Sequence, residues 1–69
     1  MAADSAPELS VVVPVFNEAG NILPLADEVR AALTGVCRYE LIFIDDGSSD
    51  ASPAEMKEAA AHDPNIRLF

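Results

Sequence analysis

Two short polar stretches carry most of the side chains that could do chemistry in this sequence. Residues 16–20 combine an aromatic ring, an amide and a carboxylate, and residues 45–50 place three carboxylates around Gly47. The ring of Phe16 can stack on a base or ribose. The carboxylate of Asp46 can accept hydrogen bonds from base N–H or ribose hydroxyl groups. Together these side chains suit a nucleoside better than a phosphate.

The first stretch lacks the glycines of known phosphate-binding loops. It contains neither G-x-G-x-x-G nor G-x-x-x-x-G-K-[ST], which argues against dinucleotide-binding and P-loop proteins. A carboxylate cluster also repels a pyrophosphate unless a divalent cation lies between them. A metal ion is therefore implied, but no ligand set is evident. The spacing around Gly47 fails the EF-hand pattern, and Cys37 is the single cysteine.

Each polar stretch follows a predicted strand. The runs 9–16 and 39–44 are nearly continuously apolar and rich in β-branched or aromatic residues, as in parallel strands covered on both faces. Pro14 cannot donate to a ladder, so the first strand should end near it. Ligands of open α/β sheets bind outside the carboxyl ends of the strands. The two polar loops are therefore expected to face one ligand.

Helical patterns separate the strands. From Asn21 to Leu33 apolar residues recur every three or four positions, with Asn21 as the expected N-cap and Gly35 as the left-handed residue beyond the helix. Ser52-Pro-Ala-Glu55 matches a capping box that opens a second helix, which Asp63-Pro64 ends. Ile66–Phe69 resembles the start of a third strand.

The order β-α-β-α-β predicts an α/β fold with a parallel sheet and right-handed crossovers, half of a doubly wound domain truncated in its third strand. The unpaired edge of such a sheet indicates either a fragment or a half-domain that associates with itself. Residues 1–8 are expected to form a flexible tail, and residues 9–69 a single incomplete domain.

Composition and charge argue against some classes of binding partner and indicate a cellular compartment. Twelve acidic against four basic residues give a formal net charge of -8, which disfavours nucleic-acid binding. The apolar runs are far shorter than the roughly 20 residues of a membrane-spanning helix. The first eight residues have no features of a secretory signal. A lone cysteine fits a reducing compartment, so a cytoplasmic location is expected.

Two motifs together resemble the opening of a family 2 glycosyltransferase of the Rossmann-like GT-A fold. They are Val11-Val-Val-Pro-Val-Phe-Asn-Glu18 and Ile42-Phe-Ile-Asp-Asp-Gly-Ser-Ser-Asp50. The resemblance covers residues 9–69, and the segment 65–69 is similar to the polyprenyl-phosphate sugar transferases, the dolichol-phosphate mannose synthase-like branch. It implies that residues 9–69 are the nucleotide-binding part of an enzyme that transfers sugar with inversion from a nucleoside-diphosphate sugar to a polyprenyl phosphate.

The resemblance also assigns roles to residues. Asp46 would hydrogen-bond the base, while Asp45 and Gly47 shape the turn. No residue matches the family's catalytic base or its motif for Mg²⁺ or Mn²⁺, so the 69-residue chain alone is expected to be inactive. The complete enzyme would work at the cytoplasmic face of a membrane. The residues expected to form the nucleotide site are Pro14, Val15, Phe16, Glu18, Asp45 and Asp46.

Simpler roles remain open for several of these residues. Asp45 and Asp46 could only shape a turn, Phe16 could cover the end of the sheet, and Glu18 could be a solvated acid. Asn17 could fix its loop as readily as contact a ligand. The alternatives for the whole chain are a non-catalytic half-domain that self-associates through its open sheet edge, and a Rossmann-type cofactor domain.

Overall fold

A computed structural model describes residues 6–69, and five elements alternate along them. Residues 1–5 of the predicted tail lie outside the described residues. Glu8, at the other end of that tail, is bonded to the rest of the chain, since its backbone N–H donates to the carbonyl oxygen of Arg38 at 2.8 Å. The elements confirm the predicted β-α-β-α-β order. They are β1 (Leu9–Val15), α1 (Ile22–Leu33), β2 (Tyr39–Asp45), α2 (Ser52–His62) and β3 (Ile66–Leu68).

The three strands form one parallel sheet in the order β1-β2-β3. The register pairs Leu9 with Tyr39 at one end of β1 and Val15 with Asp45 at the other. Because β1 and β2 end at the same level, the loops that follow them leave the sheet side by side.

Pro14 lies inside β1, which ends one residue later at Val15. The carbonyl oxygen of Val15 accepts the N–H of Asp46 at 2.7 Å. Successive residues of a strand direct their N–H and C=O groups to opposite sides, so the nitrogen of Pro14 lies on the side away from β2. The proline therefore leaves the β1–β2 ladder intact, and the strand ends close to it as predicted.

Both helices pack on the same face of the sheet and contact each other. Strand residues of alternate positions face them, and Phe43 and Val15 are fully buried. The helices contribute the apolar positions that repeat at helical spacing. The buried apolar core consists of Val15, Ile22, Ala26, Tyr39, Leu41, Phe43, Met56, Ala59 and Ile66.

The other face of the sheet is open in residues 6–69. Val12 is 55% exposed and Ile44 is 40% exposed. The expectation that the apolar strands are covered on both faces is therefore wrong for this part of the chain. Two right-handed crossovers in the same direction place both helices on one side, which leaves the alternate apolar residues in solvent.

The end of α1 matches the prediction from the sequence more closely than the start of α1 does. Gly35 has φ +82°, the left-handed conformation expected just beyond the helix. Asn21 occupies the N-cap position but makes no capping hydrogen bond, and its amide Nδ2 donates to Glu18 Oε1 at 3.0 Å. Within residues 6–69, neither helix has the length and apolar character that crossing a membrane requires.

Candidate functional site

The two polar stretches meet at the carboxyl edge of the sheet. The β1–α1 loop (residues 16–21) and the β2–α2 loop (residues 46–51) begin where the paired residues Val15 and Asp45 end their strands. Every residue of the β1–α1 loop is exposed, so apolar packing does not hold this loop in place. Its order has to come from polar contacts.

Hydrogen bonds from four consecutive backbone N–H groups, those of residues 17–20, hold the β1–α1 loop. Each N–H donates to a side-chain oxygen from the region 48–55, and we call these four acceptor residues the loop clamp. In chain order, the donor–acceptor distances are 2.9 Å to Ser48 Oγ, 2.8 Å to Ser52 Oγ, 3.1 Å to Asp50 Oδ2, and 2.9 Å to each carboxylate oxygen of Glu55. The loop's amides are therefore already occupied by the chain itself.

Asn17 adds hydrogen bonds between the two loops in the opposite direction, because here a side chain of the β1–α1 loop is the acceptor. Its Oδ1 accepts the backbone N–H of Ser49 at 2.8 Å and the Ser49 hydroxyl at 3.4 Å. Asn17 also has φ +51°, a left-handed conformation that asparagine tolerates better than most residues. Of the two roles left open by the sequence, the structure supports fixing of the loop.

The capping box predicted at the start of α2 is wrong. The N–H of Glu55 donates to the carbonyl oxygen of Ala51 at 3.0 Å, which makes Ala51 the N-cap and places Ser52 inside the helix. The Ser52 hydroxyl and the Glu55 carboxylate, expected to cap α2, instead bind amides of the β1–α1 loop. Sequence reasoning missed this function because the partners are more than 30 positions apart.

Asp50 joins the loop clamp to the start of α2. One carboxylate oxygen accepts the Ser52 N–H at 2.9 Å, and the other accepts the Ala19 N–H. Hydrogen bonds from the Ser52 hydroxyl, then from the Ser52 N–H, lower the pKa of Asp50 below its usual 3.8. The charged form is the one that holds the loop.

Asp45 and Gly47 shape the turn after β2, as the resemblance implied. Asp45 Oδ1 accepts the backbone N–H of Ser48 at 3.3 Å, and Gly47 has φ +83°. Asp45 also lines a cavity of about 220 Å³ beside Met56 and Phe69. Its carboxylate is therefore engaged by the turn rather than directed to the free edge.

Phe16 and Asp46 are exposed residues of the two loops. The Phe16 side chain is 57% exposed, so it does not cover the end of the sheet. Asp46 is exposed. Within residues 6–69, the neighbours of Asp46 in the β2–α2 region take part in side-chain hydrogen bonds. The Asp46 carboxylate makes none with any residue of this range.

The remaining predicted residues lie beside these two but in different surroundings. Pro14, Val15 and Glu18 line a cavity of about 210 Å³ between β1 and the start of α1. The six predicted residues thus lie at one edge of the sheet, and no single cavity described within residues 6–69 is lined by all of them.

The described residues do not fit the divalent cation that the resemblance implies. Within residues 6–69 there is no group of three or more histidine, cysteine, aspartate or glutamate side chains placed to hold a metal ion. Asp45 and Asp50 already accept backbone N–H groups. No reaction step is therefore assigned to a metal ion at this edge.

Comparison with known proteins decides the family. Residues 10–69 match the model of Glycosyl transferase family 2. The chain belongs to this family. Its three parallel strands and two helices, in alternating order, are consistent with part of a GT-A fold.

The relatives of this glycosyltransferase chain include polyprenyl-phosphate sugar transferases. A dodecaprenyl-phosphate galacturonate synthase of Rhizobium johnstonii is 52% identical over 46 residues, covering 65% of this chain and 14% of that protein. An undecaprenyl-phosphate 4-deoxy-4-formamido-L-arabinose transferase of Yersinia pestis (strain Pestoides F) is 44% identical over 63 residues, covering 90% of this chain and 19% of the relative. The chain thus spans less than a fifth of these relatives, and the predicted resemblance is confirmed.

Proposed function

We propose that residues 9–69 form the nucleotide-binding part of a glycosyltransferase that uses a nucleoside-diphosphate sugar. The observation that carries this proposal is the pair of accessible groups at the carboxyl edge, the Phe16 ring and the Asp46 carboxylate. They follow neighbouring strands whose last residues are paired. A ring face and a hydrogen-bond acceptor are the two groups that a nucleoside needs for stacking and for recognition of its N–H groups.

Each residue of the proposed site has a distinct task. The Asp46 carboxylate accepts a hydrogen bond from the base, and Phe16 stacks on the base or ribose. Pro14 and Glu18 form the adjoining wall at the start of α1, and Val15, which is fully buried, supports that wall from the core. Asp45 holds the turn that presents Asp46.

The diphosphate has to be bound by other groups. The amides of residues 17–20 donate to the loop clamp, so they are not available as an anion site. The net charge of -8 also opposes a diphosphate. In the complete enzyme Mg²⁺ or Mn²⁺ would neutralise the leaving diphosphate, with ligands that we place outside these 69 residues. The chain alone is expected to bind nucleotide without turnover.

The proposed acceptor is a polyprenyl phosphate, to which the sugar is transferred with inversion at the anomeric carbon. The support is the name of each relative, which pairs a polyprenyl phosphate with a sugar. Because such an acceptor is a lipid, we place the complete enzyme at the cytoplasmic face of a membrane.

Isothermal titration of the 69-residue chain with UDP and with GDP tests the nucleoside site. Asp46→Ala should weaken binding about ten- to a hundredfold, since a hydrogen bond to a charged group contributes about 1.5–3 kcal/mol. Asp46→Asn, which keeps one acceptor oxygen, should lose less. Glu28→Ala, which removes an equal charge from an exposed position on α1, is the control. Equal affinity of Asp46→Ala and Glu28→Ala would contradict the proposal.

The second candidate function is a non-catalytic half-domain that self-associates. The observation that favours it is the open side of the sheet, where Val12 and Ile44 are exposed. Sedimentation of the same sample distinguishes the two. A dimer that binds neither nucleotide would support self-association over the enzyme.

A further inference from the structure

We propose that the loop clamp positions the nucleotide site: its four side chains act on the nucleotide only through the β1–α1 loop. This inference rests on the proposed function, because it concerns the same site. It assigns a functional role to Ser48, Asp50, Ser52 and Glu55, which lie outside the set of residues expected to touch the nucleotide.

The backbone of Phe16 is fixed on both sides by contacts with the β2–α2 loop. On one side, the carbonyl oxygen of Val15 accepts the N–H of Asp46 at 2.7 Å. On the other, the N–H of Asn17 donates to Ser48 Oγ at 2.9 Å. The Phe16 side chain is more than half exposed, so these hydrogen bonds, rather than packing, hold the backbone that carries its ring.

The same contacts fix the spacing between the backbones of Phe16 and Asp46. Asp46 lies between the Val15 contact and the turn in which Asp45 accepts the Ser48 N–H at 3.3 Å. Ser48 therefore belongs both to the turn that presents Asp46 and to the contact that holds the residue after Phe16. The two groups that we assign to the nucleoside are held by one hydrogen-bond network.

Glu55 is the member of the loop clamp that tests this role best. It extends from α2, and both of its carboxylate oxygens lie 2.9 Å from the backbone nitrogen of Gly20. Gly20 is four positions from Phe16 and is not among the residues assigned to the nucleotide. Removing Glu55 therefore loosens the loop without removing a contact that the nucleotide is proposed to make.

A preorganised loop strengthens binding because the free protein already holds the competent geometry. Apparent affinity falls in proportion to the fraction of molecules in that geometry. If the loosened loop is competent about a tenth of the time, the dissociation constant rises about tenfold.

The test compares Glu55→Ala with Glu58→Ala in the 69-residue chain. Glu58 is exposed on the same helix, three residues later, and removes the same charge. We expect Glu55→Ala to raise the UDP or GDP dissociation constant about tenfold and to speed amide exchange at Gly20. Glu55→Gln should recover part of both effects, because its amide oxygen still accepts one N–H, and Glu58→Ala should change neither.

The outcomes separate this inference from the proposed function. Faster exchange at Gly20 in Glu55→Ala with an unchanged dissociation constant would overturn the positioning role and leave the nucleotide site standing. An unaltered chain that binds neither nucleotide would overturn both. If Glu55→Ala does not fold, Ser48→Ala decides the question, since it removes the acceptor next to Phe16. An unchanged dissociation constant in Ser48→Ala would then contradict the inference.

Discussion

The two loops at the carboxyl edge of the sheet differ in what they contribute to each other. The β1–α1 loop supplies backbone N–H donors from residues 17–20, whereas the region after β2 supplies side-chain oxygens. Most of the polar side chains of the second region are used in this way. A dense cluster of carboxylates and hydroxyls can therefore organise a neighbouring loop, while the exposed Asp46 carboxylate, which we assign to a ligand, takes no part in these contacts.

The largest loss of stability from breaking the contact between the two loops is expected for Ser52→Ala. Ser52 is fully buried, and its hydroxyl accepts the N–H of Glu18. Leaving that N–H without a partner should lower the free energy of unfolding by about 1–3 kcal/mol.

Urea denaturation measures this difference, with Ser49→Ala as the control. Ser49 is exposed, and its hydroxyl makes only a 3.4 Å contact with Asn17. If both alanine variants lose the same stability, the buried serine does not hold the loops together.

A substitution that strains the backbone at Gly47, in the β2–α2 loop, should have a smaller effect on the free energy of unfolding. Gly47 has φ +83°, and a Cβ there would meet no atom within 4 Å. Gly47→Ala should therefore lower the free energy of unfolding by about 1–2 kcal/mol, the strain of a left-handed residue alone. Gly47→Asn should lose less, because asparagine tolerates this conformation. Equal losses in urea denaturation would point to a different cause.

The smallest effect is expected from acid, acting through Asp50. Its pKa is lowered by hydrogen bonds from Ser52, so its contribution to stability is complete above the usual 3.8. That contribution is lost as the pH falls from this value through the lowered pKa. Asp50→Asn should therefore lose less stability than the unaltered chain between about pH 6 and about pH 2.5.

Thermal unfolding at the two pH values measures the acid effect. Glu28→Gln removes a carboxylate that is exposed on α1 and serves as the control. The assignment of Asp50 fails if the unaltered chain and Asp50→Asn lose the same stability in acid.

Local patterns predicted the elements well because strands and helices depend on nearby residues. The left-handed Gly35 and the end of β1 near Pro14 follow from the conformations that these residues permit. The roles of Ser52 and Glu55 did not follow in this way. Their spacing matches a capping box, but amides from more than 30 positions earlier take the same oxygens. Local spacing alone does not reveal such long-range competition.

The candidate residues lie at the carboxyl edge where the sequence placed them, and their role in binding a nucleotide stays a prediction. Asp45 and Gly47 shape the turn as expected, and Phe16 and Asp46 lie at the predicted edge. The continuous apolar character of β1 was misleading, since it does not show which face the two helices leave open.

Pro14 also determines where another strand could be added to the sheet. The outer edge of β1 offers the N–H groups of Ser10 and Val12, but at Pro14 it has no donor. An incoming strand would therefore pair with the first half of β1 and lose a hydrogen bond beside the β1–α1 loop. Edge-to-edge aggregation is discouraged beside the proposed nucleotide site.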